Sequence, residues 1–404
     1  MDMSNALISW EEARGHVNAL QFAQISQQME LIGAVGKRLF EDVHAKTDSP
    51  PFDNSAVDGY AVFPGFDGLE ELSLEGSLFA GSTIPSLEYG SHQAIRVLTG
   101  SPVPLGADRI VMQEDCVVDG KNLRILAAGM PGQHIRRRAE DFSGGDLILQ
   151  AGASLTPAAI GFLASAGIAE VSVLGSPRVG LLITGDELTE PGQELEPGQI
   201  YNSNQPALIA ALTEMGVSDI QAICVQDSFD QTVDSLRKLG QECDFVVTVG
   251  GLAEGDRDHV LPALETLGAD PIFSRVAIKP GKPVSLYQWG NKPVFCLPGN
   301  PVSALVTMFL FVRPYVAASL GVKNCEVWTE IPLAKEMYKK PGRAEFVPGT
   351  NIKGRFEPIS TRGSHLLNTL SQSMHFALFP TESACLSPGE LVAVINADWR
   401  MPCH

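Results

Sequence analysis

Several stretches of this chain combine glycine, carboxylate and hydroxyl groups in the way that anion and metal chemistry needs. They are Thr184-Gly185-Asp186-Glu187-Leu188, the single Asp227, the run from Gly250 and Gly251 to Asp256, Arg257 and Asp258, and Leu297-Pro298-Gly299-Asn300-Pro301-Val302-Ser303. A glycine-rich turn ahead of a helix leaves backbone N–H groups bare at the positive end of the helix, an arrangement that holds phosphate without formal charge. Either loop alone is explained at least as well by a tight strand-to-helix connection in which glycine permits positive φ. Two such loops at one sheet edge favour an anion site. The carboxylates of Asp186, Glu187, Asp227, Asp256 and Asp258 are hard oxygen donors that suit Mg2+, or another divalent cation, bridging protein and phosphate. Taken singly, Asp186, Asp227 and Asp256 are equally well explained as helix caps or turn formers, whereas Glu187 has no such preference. Arg257, Arg275, Lys279 and Lys282 bring positive charge to the same edge, although a solvated surface position is the plain explanation for Lys282.

Other motifs carry less. The polar loop from Pro50 to Tyr60 holds Asp53, Asn54, Ser55 and Asp58 and reads either as a site loop or as a succession of Asx turns. Arg136-Arg137-Arg138, just ahead of Glu140-Asp141, faces a phosphate or protects an edge strand by charge. There is no Walker motif, G-x-G-x-x-G fingerprint, G-x-S-x-G elbow or H-E-x-x-H. P-loop ATPase, dinucleotide oxidoreductase, serine hydrolase and zincin chemistry therefore lack support. The histidines show no metal-ligand spacing, and the seven cysteines are scattered with no C-x-x-C pair. Neither a zinc cluster nor a disulfide framework is indicated, and a reducing compartment is expected.

Composition bounds the partners. With 29 Lys+Arg against 47 Asp+Glu the formal net charge is −18, which disfavours a broad nucleic-acid or anionic-membrane surface. An anionic ligand must be held locally, which is feasible because distant charge is screened beyond a Debye length of about 8 Å. The N-terminus has no basic segment followed by an apolar run, and Val302 to Val312, interrupted by Ser303 and Thr307, looks too short to span a bilayer. A cytoplasmic protein is expected.

The elements that must position these residues follow from periodicity. The chain has 404 residues, and at about 150 residues per domain two to four domains are expected. Ser9 and Glu12 form a capping box that opens a helix, and Thr156, Pro157 and Gly167 mark the N-cap, N1 and C′ of another. Between them, short apolar runs broken by Gly, Pro and Asp indicate a small β domain inserted at 46–139 into a discontinuous helical linking domain made of 1–45 and 140–176. Over 177–323, strands at 179–183, 220–225 and 245–249 alternate with helices at 206–215, 229–239 and 258–267, followed by a hairpin turning at Gly290-Asn291 and a last helix at 302–320. That alternation predicts a largely parallel sheet covered on both faces, with ligands beyond the carboxyl ends of its strands. Short strands return in 324–404, where a β-barrel is expected.

Taken in order, PPFDNSAVDGYAV (50–62), VLTGSPVPLGADRIVMQED (97–115), HIRRRAED (134–141), TGDEL (184–188), GQIYNSNQ (198–205), VGGLAEGDRD (249–258), AIKPGKPV (277–284) and LPGNPVSA (297–304) resemble the molybdopterin molybdotransferase family, which includes bacterial MoeA and the C-terminal domain of gephyrin. The resemblance extends over essentially the whole chain. It implies an elongated homodimer of four-domain subunits whose α/β domain is similar to the MogA-like adenylyltransferase acting one step earlier. The implied reaction takes adenylylated molybdopterin and molybdate, cleaves the phosphate anhydride with Mg2+ or another divalent ion, releases AMP and inserts molybdenum into the dithiolene.

Carried over by motif position, Glu187, Asp227 and Asp258 act in metal and substrate binding, with Asp186 a further metal ligand. Lys279 and Arg275 neutralise molybdate or the pterin phosphate. Thr184, Gly250, Gly251, Lys282, Pro298, Gly299, Asn300, Pro301 and Ser303 contact substrate, and Asp58, Thr99 and Asp141 belong to motifs that complete the partner's site in the dimer. The adenylyltransferase and acceptor molybdoenzymes are the implied protein partners. Two departures stand out: Val249 and Ala253 occupy positions where the family usually has serine, and Arg275 stands where lysine is common. The alternatives kept beside the enzyme are a catalytically weak molybdopterin-binding paralogue and a gephyrin-like scaffold.

Overall fold

The computed structural model describes residues 7–66, 71–83, 89–252, 258–322, 325–359 and 363–401. It divides into two compact units, one of residues 1–27 with 174–404 and the other of residues 28–173. Asp256 and Arg257 lie outside the described residues, as does Ala253.

In the larger unit a six-stranded sheet runs in the order Asp219–Val225, Arg178–Thr184, Phe245–Val249, Lys292–Leu297, Ser285–Trp289, Asp270–Ser274. The first four strands pair in parallel, and the hairpin adds the antiparallel remainder. Successive side chains of a strand point to opposite faces, so a strand covered on both sides must be apolar throughout. Phe245–Val249 is buried at every position. Leu181 and Ile183 enter one core with Leu208, Leu212 and Tyr315, while Leu182 enters the other with Leu236, Leu239 and Leu264. The covering helices are Asn204–Glu214, Phe229–Glu242, Val260–Thr266 and a composite helix Pro301–Ser319, interrupted by a π turn at Met308–Val312.

That last helix corrects an expectation. At 19 residues it is long and apolar enough to cross a membrane, but it is 89% buried because it is the central core helix of this unit. A second difference concerns the N-terminal helix Trp10–Asn18, which the sequence groups with residues 140–176. Ser9 caps it, accepting from Glu12 N–H at 3.0 Å, and Ala13 and Val17 enter the core of the α/β sheet.

The C-terminal residues form a sheet in the order Ile278–Lys279, Ala344–Ile352, His375–Phe379, Leu391–Asn396, Trp328–Pro332 over a core that includes Leu333, Val347, Phe356 and Phe379. The two-residue strand Ile278–Lys279 therefore ties the α/β part to the C-terminal β part in a parallel ladder.

The smaller unit carries a six-stranded mixed sheet, Arg109–Met112, Gly59–Val62, Gln93–Val97, Glu71–Leu78, Asn122–Ile125, Cys116–Asp119, with apolar clusters on both faces. A third cluster lies around the helix Pro157–Ser165, where Thr156 accepts from Ala159 N–H at 3.2 Å. Gly167 ends that helix at φ +80°, and the amide of Ile168 reaches back to the carbonyl of Leu163 at 3.1 Å, the bond that closes a Schellman motif.

Candidate functional site

Strand ends position the chemistry. Strand Arg178–Thr184 delivers Thr184 and Glu187, the neighbouring Asp219–Val225 delivers Asp227, and Phe245–Val249 delivers Gly250 and Gly251. Strand Lys292–Leu297 runs into Pro298, Gly299 and Asn300 ahead of the core helix. These ends converge on a cavity of about 600 Å³ lined by Thr184, Glu187, Asp227, Gly250, Asp258 and Gly299 among others. Gly251, Pro298, Asn300 and Pro301 also line it. Two of the chain's glycine loops touch here: a Cβ built on Gly299 would stand 3.5 Å from the Gly250 Cα. Gly250 itself has φ +93°, and a Cβ there would lie 2.9 Å from both the carbonyl oxygen and the hydroxyl of Thr184. Only glycine fits that approach.

Not every amide of these loops is available to a ligand. Gly250 N–H donates to Leu297 O at 3.2 Å, and Val302 N–H donates to Ser364 O at 3.0 Å. The Thr184 hydroxyl, by contrast, is buried and has no hydrogen-bond partner among the described residues, which is costly unless a ligand supplies one.

The carboxylates sort by burial. Burial pushes the Asp227 acid above the ordinary carboxylate range, and the nearby carboxylates of Asp186 and Glu187 add to that shift. Asp186 does not line the cavity. Its Oδ1 accepts from Asp227 N–H at 3.0 Å, so it shapes the loop, as its turn-forming chemistry allows. Among the described residues no group of three or more His, Cys, Asp or Glu can hold a metal ion by itself. The donor set nevertheless fits Mg2+, which takes one or two carboxylates and completes its shell with waters and substrate phosphate oxygens.

The lysines occupy a second cavity, of about 330 Å³, lined by Lys279, Lys282, Ser303, Arg343, Glu345 and Thr369 among others. It adjoins the first, sharing Pro283 and Asn300. The carboxylates and lysines expected at one sheet edge thus line two adjoining cavities, the carboxylates in one and the cations in the other. Lys279 Nζ lies 3.2 Å from Glu345 Oε1, a partner that spacing along the chain does not reveal. Ser303 is buried and belongs to the cationic cavity, not to the glycine loops. Arg275 lines neither cavity; it is half-buried at φ +65°, with its amide donating to Val284 O at 3.0 Å.

In the smaller unit, Asp58 and Thr99 bind each other. Asp58 Oδ1 accepts from both the amide and the hydroxyl of Thr99 at 2.8 Å, which holds the Asp58 acid below its ordinary value. Asp141 is exposed in the same unit. The arginine run pairs internally: Arg137 Nη1 donates to Asp53 at 2.7 Å, and Arg138 pairs with Asp48.

Sequence reasoning missed several residues. Asn204, inside GQIYNSNQ, donates to Gly299 O at 2.7 Å and so braces the proline-glycine loop. Tyr201 and His365 line the carboxylate cavity, and Arg343, Glu345 and Ser364 line the cationic one. Motif membership could have found Asn204 and Tyr201. The others come from segments that no local signal links to the sheet edge.

Comparison with known proteins matches this architecture. The family described as MoeA N-terminal region (domain I and II) matches residues 8–167, a probable molybdopterin binding domain matches 180–318, and the MoeA C-terminal region (domain IV) matches 330–396. A molybdopterin molybdenumtransferase of Haemophilus influenzae is 34% identical over 404 aligned residues, covering 96% of this chain and 98% of that protein. One from a Nostoc species is 33% identical, covering 94% of this chain and 91% of that protein. Two crystal structures of the molybdopterin biosynthesis MoeA protein from Pyrococcus horikoshii superpose with TM-scores of 0.86 and 0.78 at 28% and 29% identity, each covering 97% of this chain, and 99% and 100% of their own. The chain belongs to the MoeA family of molybdopterin molybdenumtransferases.

Proposed function

We propose that this chain is a molybdopterin molybdenumtransferase, converting adenylylated molybdopterin and molybdate into molybdenum cofactor, AMP and water. The observation that carries the reading is the pair of adjoining cavities, one built from glycine loops, carboxylates and a buried hydroxyl with no partner among the described residues, the other from cations. Anhydride cleavage needs charge stabilisation on phosphoryl oxygens more than a strong nucleophile. The Thr184 hydroxyl donates to a phosphoryl oxygen, with the amides of Gly251 and Gly299 beside it. Asn204 and Pro301 keep the Pro298-Gly299-Asn300 turn in place. One or two of the carboxylates Glu187, Asp227 and Asp258 would hold a divalent cation together with water and substrate oxygens, and that cation would neutralise charge on the departing phosphate. Lys279, Lys282 and Arg343 bind molybdate across the shared Pro283–Asn300 border.

The same proposal includes a four-part division of the chain, with the helix Trp10–Asn18 assigned to the α/β part and the last part closed as a barrel. It also includes a cytoplasmic homodimer in which Asp58, Thr99 and Asp141 of one copy serve the other's site. A reconstitution with adenylylated molybdopterin, molybdate and Mg2+ tests the activity. AMP release coupled to activation of an apo-molybdoenzyme is expected, and absence of both refutes it. A binding-only paralogue is the second reading, favoured by Val249, which puts a buried methyl side chain where the family usually has a hydroxyl. Normal AMP release eliminates that reading.

A further inference from the structure

The cationic cavity contains a residue foreign to a simple anion site. Glu345 lines it and is only 4% exposed. Sheet register puts it there: Lys279 and Glu345 are direct partners in the parallel ladder between Ile278–Lys279 and Ala344–Ile352, and Ala344 N–H donates to Ala277 O at 2.9 Å. Register partners share a sheet face, and here the carboxylate and the ammonium meet at 3.2 Å. Gly281, at φ +109°, presses the turn between Lys279 and Lys282 onto the core helix, where a Cβ would stand 2.4 Å from Thr307 Cγ2. Lys339, the other ammonium near Glu345, is spent elsewhere: it donates to the carbonyls of Arg343 and Thr381 at 2.9 and 3.0 Å and lies 5.0 Å from the Phe379 ring.

We propose that Glu345 is a specificity residue that makes this cavity reject sulfate in favour of molybdate. The proposal deepens the molybdate-binding reading given above and rests on it. Lys279, Lys282 and Arg343 attract any dianion of suitable size, and attraction alone does not separate two tetrahedral dianions. A buried carboxylate beside Lys279 is a repulsive element aimed at the competitor. Like charges that are partly shielded from solvent are poorly screened, so an oxyanion oxygen that approaches Lys279 must also face Glu345. An oxygen that carries a proton turns that repulsion into a charge-assisted hydrogen bond donated to the carboxylate. Both dianions arrive without a proton at neutral pH, but sulfate is the conjugate base of the stronger acid and gains none beside the carboxylate. Molybdate is larger, spreads its charge more widely and is the stronger base, so it meets the carboxylate at lower cost.

Titration calorimetry of the full chain with sodium molybdate and with sodium sulfate, at constant ionic strength, tests this without relying on turnover. The wild-type chain is expected to bind molybdate more tightly than sulfate. Glu345→Gln should tighten sulfate by about tenfold or more while changing molybdate by less than about threefold. Glu345→Asp should keep most of the wild-type preference. Glu345→Met, uncharged and of similar volume, gives the same ratio should the Gln variant fold poorly. Parallel changes for the two anions, or an unaltered ratio in the uncharged variants, overturn the proposal while leaving the oxyanion site intact. A wild-type chain that binds neither anion overturns the oxyanion reading and the filter together, and Lys279→Ala, expected to weaken both anions in parallel, is the reference for a loss of attraction without a change of selectivity.

Discussion

Asp227 shows how one side chain carries both a functional and a stability consequence. Burial and the Asp186 and Glu187 carboxylates raise its acid, so over the window between its ordinary and its raised value the folded chain binds more protons than the unfolded one. Stability therefore falls as pH rises through that window. Asp227→Asn removes the penalty, and we expect a higher thermal transition at neutral pH together with loss of AMP release; a lowered transition would contradict the assignment. In the wild type, protons compete with a cation for Asp227, so Mn2+ binding should weaken below a pH higher than that of an ordinary carboxylate. Glu187→Ala and Asp258→Ala should abolish AMP release and leave the transition within a few degrees, since Glu187 is exposed and Asp258 half-exposed at the cavity. Lys279→Ala should raise the molybdate concentration needed for half-maximal rate with little change at saturation, which a titration of rate against molybdate would reveal.

At the scale of elements, the loops are held by shape more than by charge. Gly250→Ala adds a methyl at 2.9 Å from Thr184 in a left-handed conformation, a strain of about 1–3 kcal/mol. Gly36→Ala, with φ +78° and nothing within 4 Å, carries only the conformational part. Denaturant midpoints should rank Gly250→Ala well below Gly36→Ala. The capped helices and the parallel strands were legible because each signal is local, such as Thr156, Pro157 and Gly167 around one helix, or the unbroken apolar run of Phe245–Val249. The antiparallel edge strand Asp270–Ser274 was not, because Pro271 reads as a strand breaker. An edge tolerates that residue, and the register there is irregular between Pro271 and Phe273. Ile278–Lys279 is too short to leave any periodicity.

For the whole molecule, a net charge of −18 and a site for anionic substrates are compatible because the cations are gathered in one cavity. The proposed homodimer predicts a mass near twice 43.2 kDa in sedimentation equilibrium. If Asp58 of one copy serves the site of the other, mixing refolded Asp58→Asn and Glu187→Ala chains should restore roughly a quarter of wild-type activity by random pairing in a two-fold assembly. Recovery of none would confine each site to a single copy. The two units keep separate apolar clusters, so a fragment of residues 28–173 should unfold cooperatively alone, as circular dichroism can check.

The sequence by itself determined the α/β alternation, the helix caps, the glycine loops and the carboxylates at the strand ends, because each depends on neighbours a few residues away. Only the tertiary structure decided that cations and carboxylates occupy two adjoining cavities, that Asp186 supports a loop and Arg275 stands aside, and that Glu345 faces Lys279. Those outcomes depend on strand register and on contacts between residues far apart in the chain, and a linear pattern carries no record of register.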